Sequence, residues 1–185
     1  MRKSIVVALT LSSAMVLSSL VAAEDLQTTA GTMQLGGRTT FSIDMFMPEK
    51  GDSQTGFWFQ VSPNAGYFVI DDLELTVSAG IGLGFGDLYD GSSKNYSFGA
   101  GANYFIGVSS FKLHLGVAVA MAIMSPDKGD SIKSLAIGVP IGLLIPLNQH
   151  VGVDLGTTII YNVGLDDQGS SLNVPIGYLG VQAFF

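Results

Sequence analysis

From Met33 to the last residue, apolar side chains recur at every second position in eight separate segments. A period of two is the signature of a β-strand with two unlike faces, and it excludes helices as the main building block. The first segment, Met33 to Met45, sets Leu35, Thr39, Phe41 and Ile43 against Gln34, Arg38, Thr40, Ser42 and Asp44. The second, Gly56 to Phe68, carries Phe57, Phe59, Val61, Ala65 and Tyr67 on one face. The third, Leu73 to Gly86, sets Leu75, Val77, Ile81, Leu83 and Phe85 against Glu74, Thr76, Ser78 and four glycines. The fourth, Asn95 to Phe105, alternates Tyr96, Phe98 and Tyr104 with Ser97, Gly99 and Asn103. The fifth, Phe111 to Met124, alternates Phe111, Leu113, Leu115 and Val117 with Lys112, His114 and small residues. The sixth, Ser134 to Ile145, and the seventh, Val151 to Val163, continue the pattern, with Asp154 on the polar face of the latter. The eighth, Leu172 to Phe185, starts on Leu172, Val174 and Ile176 and ends on Leu179, Val181, Ala183 and Phe185. That change of parity predicts a bulge near Pro175, because one extra residue exchanges the faces.

The chain is 48% hydrophobic and 12% charged, yet nothing after the first 23 residues is long enough for a spanning helix. The best candidate, Leu135 to Leu147, contains Pro140 and Pro146, and a helix in lipid needs about 20 apolar residues. A closed barrel is the other way to satisfy every backbone group in lipid. A soluble barrel would keep its apolar face inside and its charges outside. Here one face carries the large branched and aromatic side chains, while the other is Gly, Ala, Ser, Thr, Asn and a few charges. Small residues suit the inside of a narrow eight-stranded cylinder, so the apolar set is expected to face lipid.

The aromatics gather toward the strand ends. Phe57, Phe59, Phe85, Tyr96 and Tyr161 fall toward one rim; Tyr67, Tyr104, Phe111, Tyr178 and Phe185 fall toward the other. They are expected to form the two interfacial girdles. The connections alternate in kind. Val69 to Asp72, Ile106 to Ser110 and Pro146 to His150 are tight. Met47 to Thr55, Asp87 to Lys94, Ser125 to Ser131 and Gly164 to Ser170 are polar. In such a topology the tight set is periplasmic and the polar set external. The tight turns recur with the hairpins, 38 residues from Glu74 to Lys112 and 40 from Lys112 to Gly152, as an up-and-down meander requires.

Arg2 and Lys3 begin the chain, Ile5 to Leu20 is apolar, and Val21-Ala22-Ala23 offers a cleavage point. This is the layout of a secretory signal peptide. Residues 1–23 are therefore read as a signal and residues 24–185 as one barrel domain. There is no Cys, which excludes a lipoprotein anchor, disulfides and thiolate chemistry. The remaining 162 residues carry six Lys and Arg against fifteen acids, a net charge of −9. Such a chain repels nucleic acid, whose binding depends on cationic neutralisation of phosphates.

The export signal, the eight alternating segments, turns such as Asp71-Asp72-Leu73-Glu74-Leu75 and Pro146-Leu147-Asn148-Gln149-His150, and the terminal Phe resemble the small OmpA/OmpX-type outer-membrane barrels. The resemblance covers the whole mature chain. It implies an all-β, transmembrane, antiparallel, eight-stranded barrel of the barrel-only kind, without a peptidoglycan-binding domain. It also implies a Gram-negative-type outer membrane, contact with lipid and lipopolysaccharide, and insertion by the barrel-assembly machinery reading Leu179, Val181 and Phe185. Ala183 departs from the pattern, since such proteins often carry an aromatic two residues before the final Phe.

By parity Arg38, Asp44, Glu74, Lys112, His114 and Asp154 point into the lumen. Unpaired charges there are costly, so these residues are expected to form an ion-pair network filling the barrel. A labile version of the same network would gate a narrow channel. His114 as a catalytic base would need a nucleophile within reach, and no spacing ties Ser109 or Ser110 to it. Gly80-Ile81-Gly82-Leu83-Gly84-Phe85-Gly86 fails the phosphate-loop pattern, because Phe85 stands where the third glycine belongs. Its inward glycines instead make room for bulkier neighbours such as Phe68, Phe105 or Trp58. The external loops carry Glu49, Asp52, Asp87, Asp90, Asp127, Asp130, Asp166 and Asp167. They suit a solvated rim, or bridging to lipopolysaccharide phosphates through divalent cations, but no dedicated metal motif is present. The expected role is non-enzymatic, structural or surface-exposed, in a monomer without cofactor. The alternatives are a narrow channel for ions or small apolar solutes and, third, a lipid A-modifying enzyme.

Overall fold

The computed structural model describes residues 6–9, 26–46, 54–87, 91–126, 130–165, 170–173, 175 and 177–185, with side chains from residue 26 onward except 43–46. Its strands are β1 (Val6–Leu9), β2 (Met33–Phe46), β3 (Gln54–Ile70), β4 (Leu73–Gly86), β5 (Gly91–Val108), β6 (Phe111–Pro126), β7 (Ile132–Asn148), β8 (Val151–Gly164), β9 (Ser170–Asn173) and β10 (Tyr178–Phe184). Each of β2 to β8 pairs antiparallel with the next, and β9 and β10 both pair with β8. The ring closes where β10 meets β2, from Leu179 opposite Thr39 to Phe184 opposite Gln34. β9 and β10 are two pieces of one broken strand, so the barrel has eight staves. β1 lies along β2 at Ile43–Phe46, beyond the stretch that β10 covers, and takes no part in the closure. It falls in the segment read as a signal peptide.

The stagger follows from the register. Gly36 leads through Asn64, Ser78, Gly99, Ala120, Ala136 and Asn162 to Ser171. On the closing side Gly36 faces Gln182 instead, eleven residues further on, one of them the extra residue of the break. The strands must therefore slope steeply around the axis, which is how eight strands enclose a lumen just wide enough for side chains.

The break lies where the parity change predicts it. Tyr178 opposes Gly156 and Asn173 opposes Ile160, so four residues on one strand face three on the other. Leu172 and Leu179 both point outward in spite of their odd separation. Three two-residue turns, at Asp71-Asp72, Ser109-Ser110 and Gln149-His150, join the staves at one end. Asp72 and Ser109 take positive φ there, a conformation that short polar residues tolerate best. Most strands run a few residues past their expected ends toward the other, long-loop rim. Ladder pairing continues after the apolar alternation fades, and alternation alone does not mark where pairing stops.

The apolar face is outside. Phe57, Phe59, Phe85, Tyr96 and Tyr161, and Tyr67, Tyr104 and Phe185, are exposed, with Phe111 half-buried. Phe41 stacks near Phe57 with centroids 6.5 Å apart. Tyr178 corrects the girdle expectation. Only 8% exposed, it points into the lumen, because the residue before outward Leu179 must face inward.

Candidate functional site

The lumen has two unlike halves. In the half nearer the tight turns, side chains from all eight staves converge on one small void, with Asp154 among them. Its Oδ2 accepts from Arg38 Nε at 2.9 Å and from Gln182 Nε2 at 3.1 Å. Its Oδ1 lies 2.9 Å from His114 Nε2 and accepts from the Tyr178 hydroxyl at 3.2 Å. A carboxylate offers about four lone-pair positions, and all four are engaged. The Arg38 guanidinium also lies 4.5 Å above the Tyr178 ring, a cation–π placement. Gln182 in turn accepts from Gln34.

Glycines make this convergence possible. Arg38 and Asp154 each stand opposite Gly180 on β10. A Cβ there would come within 3.1 Å of Arg38 Cγ and 3.5 Å of Asp154 Cβ, so the two meet across a bare position. His114, Gly142, Gly156 and Tyr178 likewise form one row across four strands. The tyrosine hydroxyl lies over the two glycines, within 3.2 Å of His114 Nε2.

The expected network is thus divided. Arg38, His114 and Asp154 come together, but Lys112 does not join them. It bonds Asp72 Oδ1 at 3.0 Å and Thr28 Oγ1 at 2.7 Å at the tight-turn mouth. Glu74 is buried and accepts from Asn103 at 3.1 Å, with no ion-pair partner among the described residues. The expectation of one ion-pair network that includes Lys112 and Glu74 is corrected on both counts. Lys112 lies two residues closer to the mouth than His114, and its long stem reaches the turn rather than the centre. The side chain of Asp44 lies outside the described residues. So do most of the acidic loop residues.

Below the polar cluster sits an apolar stopper, made of large apolar residues at inward positions of the otherwise polar face. Phe68, Phe105, Leu144 and Phe184 are buried there with Leu26. Phe68 packs at 5.5 Å from Phe105 and 6.2 Å from Phe184 between centroids. The segment before β2 crosses this mouth. Gln27 N–H bonds Gln149 O, Gly31 N–H bonds Phe68 O, and Asp72 N–H bonds Thr28 O. Between stopper and polar cluster remains a void of about 10 Å³, barely the space one water needs.

The other half is hollow. A cavity of about 670 Å³ opens toward the long-loop rim, floored by Arg38 and Tyr178 and walled by residues such as Trp58, Gln60, Ser97 and Thr158. Trp58 lies against the wall at Gly82, one of the glycines expected to make room for it. Phe68 and Phe105 are not held by that glycine run and instead serve the stopper. Ser109 and Ser110 sit on an exposed turn, whereas His114 is buried above the stopper.

No family model matches the sequence, and no curated protein matches it. The fold is that of small outer-membrane barrels. The N-terminal β-barrel domain of Pseudomonas aeruginosa OprF aligns with a TM-score of 0.53 at 16% identity, over 84% of this chain and 98% of that one. Neisserial surface protein A aligns with a TM-score of 0.57 at 22% identity, over the same shares.

Proposed function

We propose that this protein is a monomeric, non-enzymatic component of a Gram-negative-type outer membrane, with a structural or surface-exposed role and a lumen stoppered at its periplasmic, tight-turn end. The observation that carries this reading is the filled lower half: a saturated Asp154 cluster over an aromatic stopper, with about 10 Å³ left between them. The exposed apolar wall supports burial in lipid. Leu179, Val181 and Phe185 all project outward at the closing strand, where an assembly machinery could read them. The non-enzymatic reading is supported by the setting of His114, buried against Asp154, Tyr178 and Phe105 while Ser109 and Ser110 lie on an exposed turn.

In a bilayer, Val117→Arg places a charge at mid-height on the outer wall, where Val117 is 62% exposed. The expected cost is about 2–4 kcal/mol, read as a lower yield of folded barrel in vesicles. An unchanged yield would contradict the lipid-facing assignment. The role itself is tested by deleting the gene in its host. Influx of a small hydrophilic β-lactam should stay the same while sensitivity to detergent rises. Reduced influx with unchanged detergent sensitivity would favour the channel reading.

A further inference from the structure

The hollow half of the barrel has a lining of a particular kind. Hydroxyls and amides from seven staves converge on it, including Thr40, Gln60, Ser97, Thr158 and Asn162. Along β3 these groups are already aligned: Trp58 Nε1 lies 3.4 Å from Gln60 Oε1, and Gln60 Nε2 donates to Ser62 at 2.9 Å. The only charged residue in the described lining is Arg38, and its charge is met by Asp154 at 2.9 Å. The described lining is therefore polar, with its one charge compensated, inside a chain with almost twice as many acids as bases.

An ion entering would lose hydration against neutral groups, and the one charge of the described lining, Arg38, is already paired with Asp154, which makes entry costly. An apolar solute would strand the hydroxyls and amides without partners. A ligand rich in neutral hydroxyls meets neither penalty. The remaining lining suits the carbon skeleton of that ligand: Ala79, Ala120, Ala122 and Ala136 are small, and Trp58 presents an indole with an apolar body and a polar N–H. At about 670 Å³, the volume lies within the usual range for small-molecule pockets, roughly 300–1,000 Å³.

We propose that this cup is a binding site for an uncharged oligosaccharide of two to three rings, entering from the long-loop rim and resting against Trp58. Its source is either free sugar or the neutral glycan of an outer-leaflet lipid.

Trp58 is the only tryptophan in the chain, so intrinsic fluorescence reports on the cup directly. The full barrel is refolded in zwitterionic micelles, whose headgroups contain no sugar. It is titrated with maltotriose, triacetylchitotriose, a neutral O-glycan released from lipopolysaccharide, and trigalacturonate as the charged comparator. The expected result is a saturable change in Trp58 emission with at least one neutral glycan and at least tenfold weaker binding of trigalacturonate. Ala122→Phe and Ser134→Phe, which project into the cup, should each weaken the response at least tenfold while keeping the heat-dependent gel shift of a folded barrel. A response to maltotriose or triacetylchitotriose identifies free sugar as a sufficient source; a response confined to the O-glycan assigns the envelope. No response to any neutral glycan at tens of millimolar, equal response to trigalacturonate, or full response in both folded variants would overturn the proposal.

Discussion

Asp154→Ala is expected to destabilise the barrel by about 3–5 kcal/mol, the usual cost of removing one partner from a buried ion pair. The loss is large because a single carboxylate receives Arg38, Gln182, His114 and Tyr178. Without it the Arg38 charge is left inside the lumen with no anion in contact, and three further polar groups lose a partner together. Glu74→Gln is the informative contrast. The amide keeps an oxygen for Asn103 and removes no ion pair, so its effect should be about 1 kcal/mol or less. Denaturant unfolding of both variants from micelles checks the pair. Equal effects at the two positions would contradict the assignment of Asp154 as the hub.

Phe68→Ala is expected to cost about 3–5 kcal/mol through the cavity it leaves. Phe68 is 0% exposed and touches Phe105 and Phe184. Its backbone also holds the crossing segment, since its N–H bonds Thr32 O and its carbonyl accepts from Gly31. Loosening this ring should release residues 26–32 from the mouth. Limited proteolysis should then cut between Leu26 and Thr32 in the variant well before the wild type, with the ladder strands still protected. Equal cleavage rates would show that the segment is held independently of the stopper.

The barrel was legible because lipid-facing strands must alternate, and a closed ring leaves the chain few other choices. Even the break near Pro175 could be read, since a one-residue slip is visible as a change of parity between Leu172 and Leu179. The lumen was only partly legible. Charge marks a residue as inward, so Arg38, His114 and Asp154 stood out. Of the stopper, Phe68 and Phe105 could be read as bulky inward residues, but that they meet Leu144 and Phe184 in one cluster depends on the stagger between strands. Tyr178 could have been found by counting back one residue from Leu179. Gly180, Gly142 and Gly156 carry no chemistry of their own. Their role depends on cross-strand register, which a sequence without pairing information does not supply. The same is true of Lys112, whose partners Thr28 and Asp72 lie 84 and 40 residues away.

The most direct test of the stoppered lumen is single-channel recording of the refolded protein in a planar bilayer over a range of voltages, with folding verified by a heat-dependent gel shift. A silent membrane is the expected result, since the Asp154 cluster and the aromatic stopper are proposed to close the tight-turn half of the lumen. Discrete, reproducible openings in the wild-type protein would contradict it and would make Arg38, Glu74 and Asp154 the first positions to examine as a gate.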